Sequence, residues 1–282
     1  MIRAIAAALV LAAIPVGTAA AAAPKASPWK PVTLERHRGS VTATLTFERR
    51  KEGYGAYDFR DMHLLVENGT AKVLDRGMCS ESRCAVASQH VLSLKNVWGD
   101  SVPEVILDTY TGGAHCCFES YIVLTDGGHA GRTISHLWGD PGYKLISHAG
   151  AVAFRTADDR FAYEFTSFAG SGLPIQIDQI GANGRMNDIT GTRPDLITAD
   201  AKVYWKAYTS ERGKPDGDIR GVVAAWCADE YRLGQKAACD AELASALAKG
   251  WLACPAVWPQ NAKFIALVHK DLAKWGYSAS SK

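Results

Sequence analysis

The stretch NVWGDSVPEVILDTYTGGAHCCFESYIVL, residues 96–124, contains the features that decide the fold. It joins an acidic turn around Asp100 to an apolar run, a bend at Gly112-Gly113 and the adjacent pair Cys116-Cys117. A short apolar run between turn residues is typical of a buried β-strand. The stretch therefore predicts a buried strand that begins after an acidic turn and ends at a cysteine-containing bend.

Strand-like runs broken by Gly, Asn and Asp extend on both sides of this stretch, over residues 41–192. Three turn dipeptides lie 58 and 57 positions apart, at Asn68-Gly69, Asp126-Gly127 and Asn183-Gly184. Such pairs supply the positive φ angles that tight hairpins need. The spacing predicts one antiparallel β-unit used three times, although turn chemistry in any all-β domain could produce it by coincidence. An aromatic residue with small neighbours precedes each dipeptide, at residues 54–56, 110–113 and 168–171.

The composition changes after residue 192 to Ala, Leu, Lys and Trp at helical spacing. Breaks at Gly213–Gly217, Gly234 and Cys254-Pro255 divide residues 193–282 into three or four helices, which form a bundle or a cap on the β-rich part. The predicted fold class is therefore α+β. Trp226, Trp251 and Trp275 could line a carbohydrate or peptide groove, but aromatic residues at this spacing are typical of a helical core. The predicted apolar face of the first helix contains Val203, Tyr204, Ala207 and Tyr208.

The amino terminus has the pattern of a secretory signal peptide over residues 1–23. It combines Arg3 with an apolar run over residues 4–16 and small residues up to Ala23. Residues 24–40 are predicted to be a flexible leader. No later stretch is apolar enough to span a membrane, so we expect a soluble protein in the periplasm or outside the cell. The net charge of +2 and the scattered basic residues argue against a nucleic-acid partner.

Seven cysteines in an exported chain predict disulfides, with at least one cysteine free or paired between chains. Cys79 and Cys84 flank a polar turn and suit a hairpin clip. Cys227 and Cys239 lie on either side of the predicted turn at Gly234, and Cys254 competes for either partner. The connectivity stays open at this point. The candidates are Cys79, Cys84, Cys116, Cys117, Cys227, Cys239 and Cys254.

The adjacent pair Cys116-Cys117 has three interpretations. Consecutive Cα atoms are about 3.8 Å apart, which is shorter than an ordinary disulfide requires, so a direct bond would form a strained ring. Such a ring, or one cysteine bridged to the helical part, is favoured in an exported protein. The alternatives are a metal site that includes His115 and a distant histidine, and a reactive thiol, although the pair lacks the spacing of a Cys-x-x-Cys motif.

The run Asn96–Val105 resembles the acidic turn and strand of FG-GAP or VCBS-type repeats, which are blade units of some exported and adhesive β-propellers. Thr111–Cys117 and Asp159–Tyr163 resemble segments of uncharacterised exported bacterial proteins with such repeats. The resemblance covers residues 92–190 and implies a module of propeller-blade-like sheets.

The resemblance also implies a turn that can hold calcium. Asn96 and Trp98 stand where the family pattern has acidic residues, and calcium needs six to eight oxygen ligands. Asp100 and Glu104 alone supply too few, so no cofactor and no metal site are predicted.

No established catalytic motif is present in the chain. We therefore predict a non-catalytic binding or envelope-associated protein without catalytic residues, whose partner is a cell-envelope component, a glycan or a protein. An exported glycosidase-like hydrolase with Glu104 and Asp108 as acid and base, approached by Asp158-Asp159, is one alternative. A structural or inhibitory protein that acts by protein contact is another. The predicted binding surface consists of Asp100, Glu104, Gly112, Gly113, His115, Cys116 and Cys117.

Overall fold

The computed structural model describes residues 27–51, 57–78, 85–86, 91–99, 101–112, 115, 117–214, 216–253 and 257–277. Several predictions made from the sequence fall outside these residues. They are the signal peptide at residues 1–23, the Cys79 to Cys84 clip, and the roles of Asp100, Gly113, Cys116 and Cys254.

The β-rich part forms three antiparallel sheets. The first sheet has the order β1-β2-β3-β4, with β1 (Lys30–Arg38), β2 (Val41–Lys51), β3 (Tyr57–Asn68) and β4 (Ala71–Gly77). The second sheet contains β5 (Ala85–Val86), β6 (Leu92–Lys95), β7 (Glu104–Tyr110), β8 (Phe118–Val123) and β9 (Thr133–Gly139). The third has the order β10-β11-β12-β13, with β10 (Lys144–His148), β11 (Ala151–Ala157), β12 (Ile175–Ile180) and β13 (Met186–Asp188).

The three sheets repeat one connectivity. In the second sheet, β5 and β6 both pair with β7, and β8 and β9 follow in order, so this sheet is also four positions wide. Each predicted turn dipeptide joins the third and fourth positions of its sheet, and Gly69, Gly127 and Gly184 all have φ between 60° and 64°. The second turn is longer than predicted, because a short 3-10 turn over Gly127–His129 precedes β9. The predicted use of one β-unit three times agrees with this topology.

The sheets lie in layers, and the second sheet is the middle one. Its strand β7 alternates, with Val105 and Leu107 in the core shared with the first sheet and Ile106 in the core shared with the third. All three side chains are fully buried. Because successive strand residues point to opposite faces, a strand buried on both faces reads as the continuous apolar run seen in the sequence.

The third sheet packs on the helices, where Ile175 and Ile177 of β12 share a core with Ile197 of the first helix. The four helices are α1 (Pro194–Glu211), α2 (Arg220–Arg232), α3 (Lys236–Ala248) and α4 (Asn261–Lys274). Helix α2 is buried on nearly all sides. The Cys227–Cys239 disulfide, with Cα atoms 5.1 Å apart, joins α2 to α3 across the turn at Gly234. None of the described helices is both long and apolar enough to cross a bilayer. The α+β class is therefore confirmed.

Two local predictions are wrong. Residues 30–38 of the predicted flexible leader form β1, which pairs along its whole length with β2. The alternation of apolar and polar residues that marks a strand is hard to recognise in β1, because it is an edge strand with charged residues at most exposed positions. Such charges protect a sheet edge from pairing with other chains. Val203 was placed on the buried face of α1 but is 62% exposed, since Ile197, Ala201 and Tyr208 form that face.

Candidate functional site

The members of the predicted binding surface that the structure describes do not lie together in one site. Glu104 begins β7, whereas Gly112 and His115 follow the end of the same strand at Tyr110. Six strand residues separate these ends by roughly 20 Å. Gly112 and His115 are exposed, while Glu104 is fully buried. The described members of the predicted surface therefore divide between two ends of the second sheet.

Glu104 holds the turn that precedes β7. One carboxylate oxygen accepts hydrogen bonds from the backbone amides of Val97 (2.8 Å) and Trp98 (3.1 Å). The Trp98 indole nitrogen in turn donates to the carbonyl of Gly181 at 3.1 Å, which fixes the turn to the third sheet. The acidic residue that suggested calcium in the sequence thus binds backbone amides, and its role is structural.

Asp108 lies within a chain of buried hydrogen bonds. It accepts from the Ser120 hydroxyl and from the Tyr143 hydroxyl (3.1 Å), and the Trp138 indole nitrogen donates to Ser120 at 2.7 Å. Burial raises the pKa of Asp108, although the bonds from Ser120 and Tyr143 oppose the rise. Four strand residues separate Asp108 from Glu104 by about 13 Å. This is wider than the roughly 5 to 9.5 Å between glycosidase carboxyl groups, so the two do not fit the predicted acid and base pair.

The loop after β7 lies beside the segment that follows β11. Cys117 is buried and held in a disulfide, and its amide donates to the Thr111 hydroxyl at 3.0 Å. The exposed His115 ring stacks on Phe168, with centroids 4.0 Å apart, and meets the edge of Tyr163 at 6.3 Å. Two sequence segments that carried the family resemblance, 111–117 and 159–163, are thus neighbours. Cys117 supports the interpretation of a disulfide at the predicted pair.

A second set of residues forms a cleft that the sequence did not indicate. The cleft, of about 510 Å3, lies between β9, the third sheet and the end of α4. We call it the acidic cleft and define it by residues that line it: His136, Asp158, Asp159, Arg160, Asp188 and Trp275.

The rim of the acidic cleft depends on the 3-10 turn over Asp159–Phe161. Asp158 is buried, forms an ion pair with Arg160 and accepts the Tyr277 hydroxyl at 2.7 Å. Asp159 packs directly on Gly139, where a Cβ would come within 2.1 Å of its carboxyl carbon. Gly139 also has φ of 69°, a backbone conformation that favours glycine. Glycine at position 139 is therefore required by the approach of Asp159.

Two titratable groups lie at the floor of the acidic cleft, where His136 lines the cleft and Asp178 is buried directly behind it. Asp178 on β12 is only 2% exposed, accepts a hydrogen bond from Gln176 at 2.9 Å and lies 3.7 Å from the His136 ring nitrogen. Burial raises the pKa of Asp178 to about 7 and lowers the pKa of His136. Burial also raises the pKa of Asp159, while the amide of Asp140 donates to it. Burial therefore makes both carboxyl groups harder to ionise than carboxyl groups in water.

Charge in the acidic cleft is only partly balanced. Asp158 pairs with Arg160, and Asp188 at the edge of the cleft pairs with Arg232 at 3.0 Å. Among the described residues, Asp159 and Asp178 have no lysine or arginine partner within ion-pair distance. The cleft therefore presents hydrogen-bond acceptors and a negative charge to a ligand. Among all residues that the structure describes, no group of three or more His, Cys, Asp or Glu side chains has the arrangement of a metal site.

The tryptophans of the helical part do not line a common groove. Trp226 is buried against Trp205, with ring centroids 4.7 Å apart. Trp251 lies beside Arg212, and Trp275 packs on Phe161. Only Trp275 reaches the acidic cleft, which agrees with the prediction that these side chains belong mainly to the core.

A comparison with curated proteins finds a relative described as a probable thylakoid lumen protein of Synechocystis sp., which is 26% identical over 208 residues. The match covers 70% of this chain and 58% of that protein, so the chain spans little more than half of the relative's length. No family model matches the chain. No solved structure matches it either.

Proposed function

We propose that this protein is an exported, non-catalytic binding protein that holds its ligand in the acidic cleft. The observation that carries the proposal is Asp159, a carboxyl group that lines the cleft without a cationic partner among the described residues, together with Asp178, which lies directly behind the lining residues His136 and Gln176. Both are fixed by strands and a short turn, so the site is formed before a ligand arrives. Such preorganisation favours affinity because little ordering is needed on binding.

Its location outside the cytoplasm has two supports. Disulfides such as Cys227–Cys239 persist in oxidising compartments. The curated relative is described as a protein of the thylakoid lumen, which is also separate from the cytoplasm. The periplasm or the extracellular space is the proposed location of this chain.

The repeated connectivity supports a relationship with FG-GAP-like blades. Three antiparallel sheets, each four positions wide, follow one another in the chain and pack face to face. A propeller blade has the same width and strand order. We propose that the β-part is a short series of blade-like units, with the helices covering the third.

The chemistry of the acidic cleft suggests the class of ligand. Carboxyl groups accept hydrogen bonds and attract positive charge, so the cleft suits an envelope component that presents ammonium or hydroxyl groups. A glycosidase-like role has less support, because Glu104 is engaged with backbone amides and Asp108 with Ser120 and Tyr143.

Titration calorimetry with a tri-lysine peptide and with a neutral oligosaccharide tests the proposal. We expect one of these probes to bind, and we expect Asp159→Asn to weaken binding about tenfold, which corresponds to roughly 1.4 kcal/mol. Asp126→Asn is the matched control, since Asp126 is exposed on a distant turn. Equal affinities of the two variants would overturn the assignment of the acidic cleft, and turnover of the oligosaccharide would overturn the non-catalytic role.

A further inference from the structure

A second cleft lies on the opposite edge of the three sheets. It measures about 490 Å3 and is lined by residues from β1 and β6, by Leu145 of β10 and by the adjacent Tyr143. We call it the basic groove and define it by Arg36, Arg38, Lys95, Asp108 and Tyr143. The strands β1 and β6 lie side by side there. The groove is therefore built from the first strands of the sheets, whereas the acidic cleft is built largely from β9 and the third sheet near β13.

The strand register directs two arginines towards this groove. Arg36 is opposite Ala43 and Arg38 is opposite Val41 in the pairing of β1 with β2. Ala43 and Val41 are core residues that face the second sheet. Since paired residues of neighbouring strands share a face, Arg36 and Arg38 point towards the second sheet at its edge, where the Arg38 guanidinium donates to the carbonyl of Leu94 at 3.3 Å.

The cations of the groove are not neutralised by nearby acids. Within the part of the chain that the structure describes, Arg36, Arg38 and Lys95 form no ion pair with a carboxylate. Asp108 is the acidic residue among those that line the groove. Its carboxyl group already accepts hydrogen bonds from Ser120 and Tyr143, so it is engaged away from the three cations. The groove therefore has a local positive charge that the net charge of the chain does not suggest.

We propose that the basic groove is a second binding site, which takes a small molecule with a carboxylate or phosphate group between Arg36, Arg38 and Lys95. Guanidinium groups match both oxyanions, because their parallel donors can bond two oxygens of one group. The volume falls within the roughly 300 to 1,000 Å3 of small-molecule sites. Three cations on one short groove are too few to follow a nucleic-acid backbone, which favours a small ligand.

The basic groove shares no lining residue with the acidic cleft, so a test of anion binding in the groove does not depend on the proposed function. Citrate and inorganic phosphate are suitable probes, since citrate presents carboxylate groups and inorganic phosphate presents a phosphate group. The tighter of the two identifies the ligand class, and either result supports the site. Saturable binding of neither probe at low ionic strength would overturn it.

The test compares two double variants of the mature protein. Arg36→Gln/Arg38→Gln removes the groove's guanidinium groups, and Arg185→Gln/Lys202→Gln removes the same charge from exposed positions elsewhere. We expect at least tenfold weaker anion binding in the first variant and a change of less than twofold in the second, by titration calorimetry. All four positions are exposed, so circular dichroism should show an unchanged fold. Equal weakening in both variants would show a general charge effect and would overturn the proposal.

Discussion

The two edges of the β-part differ in charge although they are built by the same strand connectivity. The edge formed by the first strands carries Arg36, Arg38 and Lys95, while the acidic cleft on the other side is lined by Asp159 and Asp188. Over the chain the charges nearly cancel, to a net +2. A nearly neutral chain can therefore hold a local basic surface on the first strands and a local acidic surface around the turn at Asp159.

The two edges are connected through the core. Trp138 lines the acidic cleft and donates to Ser120, and Ser120 donates to Asp108, which lines the basic groove together with Tyr143. Hydrogen bonds inside a protein are stronger than in water, and buried polar groups that lose a partner are costly. The stability of each edge should therefore depend on this chain of hydrogen bonds.

The largest expected loss of stability follows from removing Trp138, which donates a buried hydrogen bond to Ser120. Trp138→Ala should destabilise the fold by about 3 to 5 kcal/mol, because it leaves a large cavity and removes the donor to Ser120. Urea unfolding monitored by circular dichroism measures the change. Leu137→Ala is the matched control, since Leu137 is the neighbouring residue but is 58% exposed. Equal losses in the two variants would contradict the role of the buried chain.

The raised pKa of Asp178 predicts that the free energy of unfolding depends on pH. Burial raises its pKa to about 7, so the folded protein binds this proton more tightly than the unfolded chain does. The stability that the protonated group contributes is present at low pH and is lost as the pH rises through about 7. Asp178→Asn cannot ionise, and it should gain stability relative to the wild type between about pH 4 and pH 8. The gain is at most roughly 4 kcal/mol, since one pKa unit is about 1.4 kcal/mol.

Urea unfolding at several pH values checks this prediction, and Asp126→Asn serves as the control. A stability difference between Asp178→Asn and the wild type that does not change with pH would contradict the role of burial.

A smaller effect is expected for Glu104, which belongs to neither edge. Glu104→Gln keeps the shape but weakens the bonds from the amides of Val97 and Trp98, so we expect a loss of about 1 to 3 kcal/mol. Thermal unfolding measures it, with the exposed Glu35→Gln as the comparison. An unchanged midpoint would show that the turn does not depend on this carboxylate.

The smallest effect is expected at the loop beside the acidic edge. His115→Ala removes the stacking on Phe168 and should cost at most about 1 kcal/mol, because the ring is exposed. It should leave the affinity of both binding probes unchanged, as measured by titration calorimetry. Weaker binding of the lysine peptide in this variant would extend the acidic cleft to residues 111–117.

Local features were predictable from the sequence, whereas the two clefts were not. Turn dipeptides and the apolar run of β7 are short-range signals, and the structure places them as predicted, while the Cys227–Cys239 disulfide selects one of the pairings that the sequence left open. The predicted binding surface failed because residues close in sequence lie at opposite ends of a strand. His136, Asp159, Asp188 and Trp275 span 139 positions, so only the packing of sheets and helix brings them together.

The strand β1 shows the same limitation in another form. Its charged residues suggested a flexible leader, yet the pairing with β2 orders it and makes Arg36 and Arg38 part of a groove. Lys95 joins them from 57 positions beyond Arg38 in the chain. Scattered basic residues in a sequence therefore do not exclude a local basic surface in the fold.

If the two edges bind ligands of opposite charge, an NMR titration of one isotopically labelled sample will locate each ligand at its own edge. We predict that citrate or phosphate shifts the backbone amide signals of residues 36–38 and 95, and that the tri-lysine peptide shifts those of residues 136, 159 and 188. Shifts from both probes at the same edge would contradict the claim.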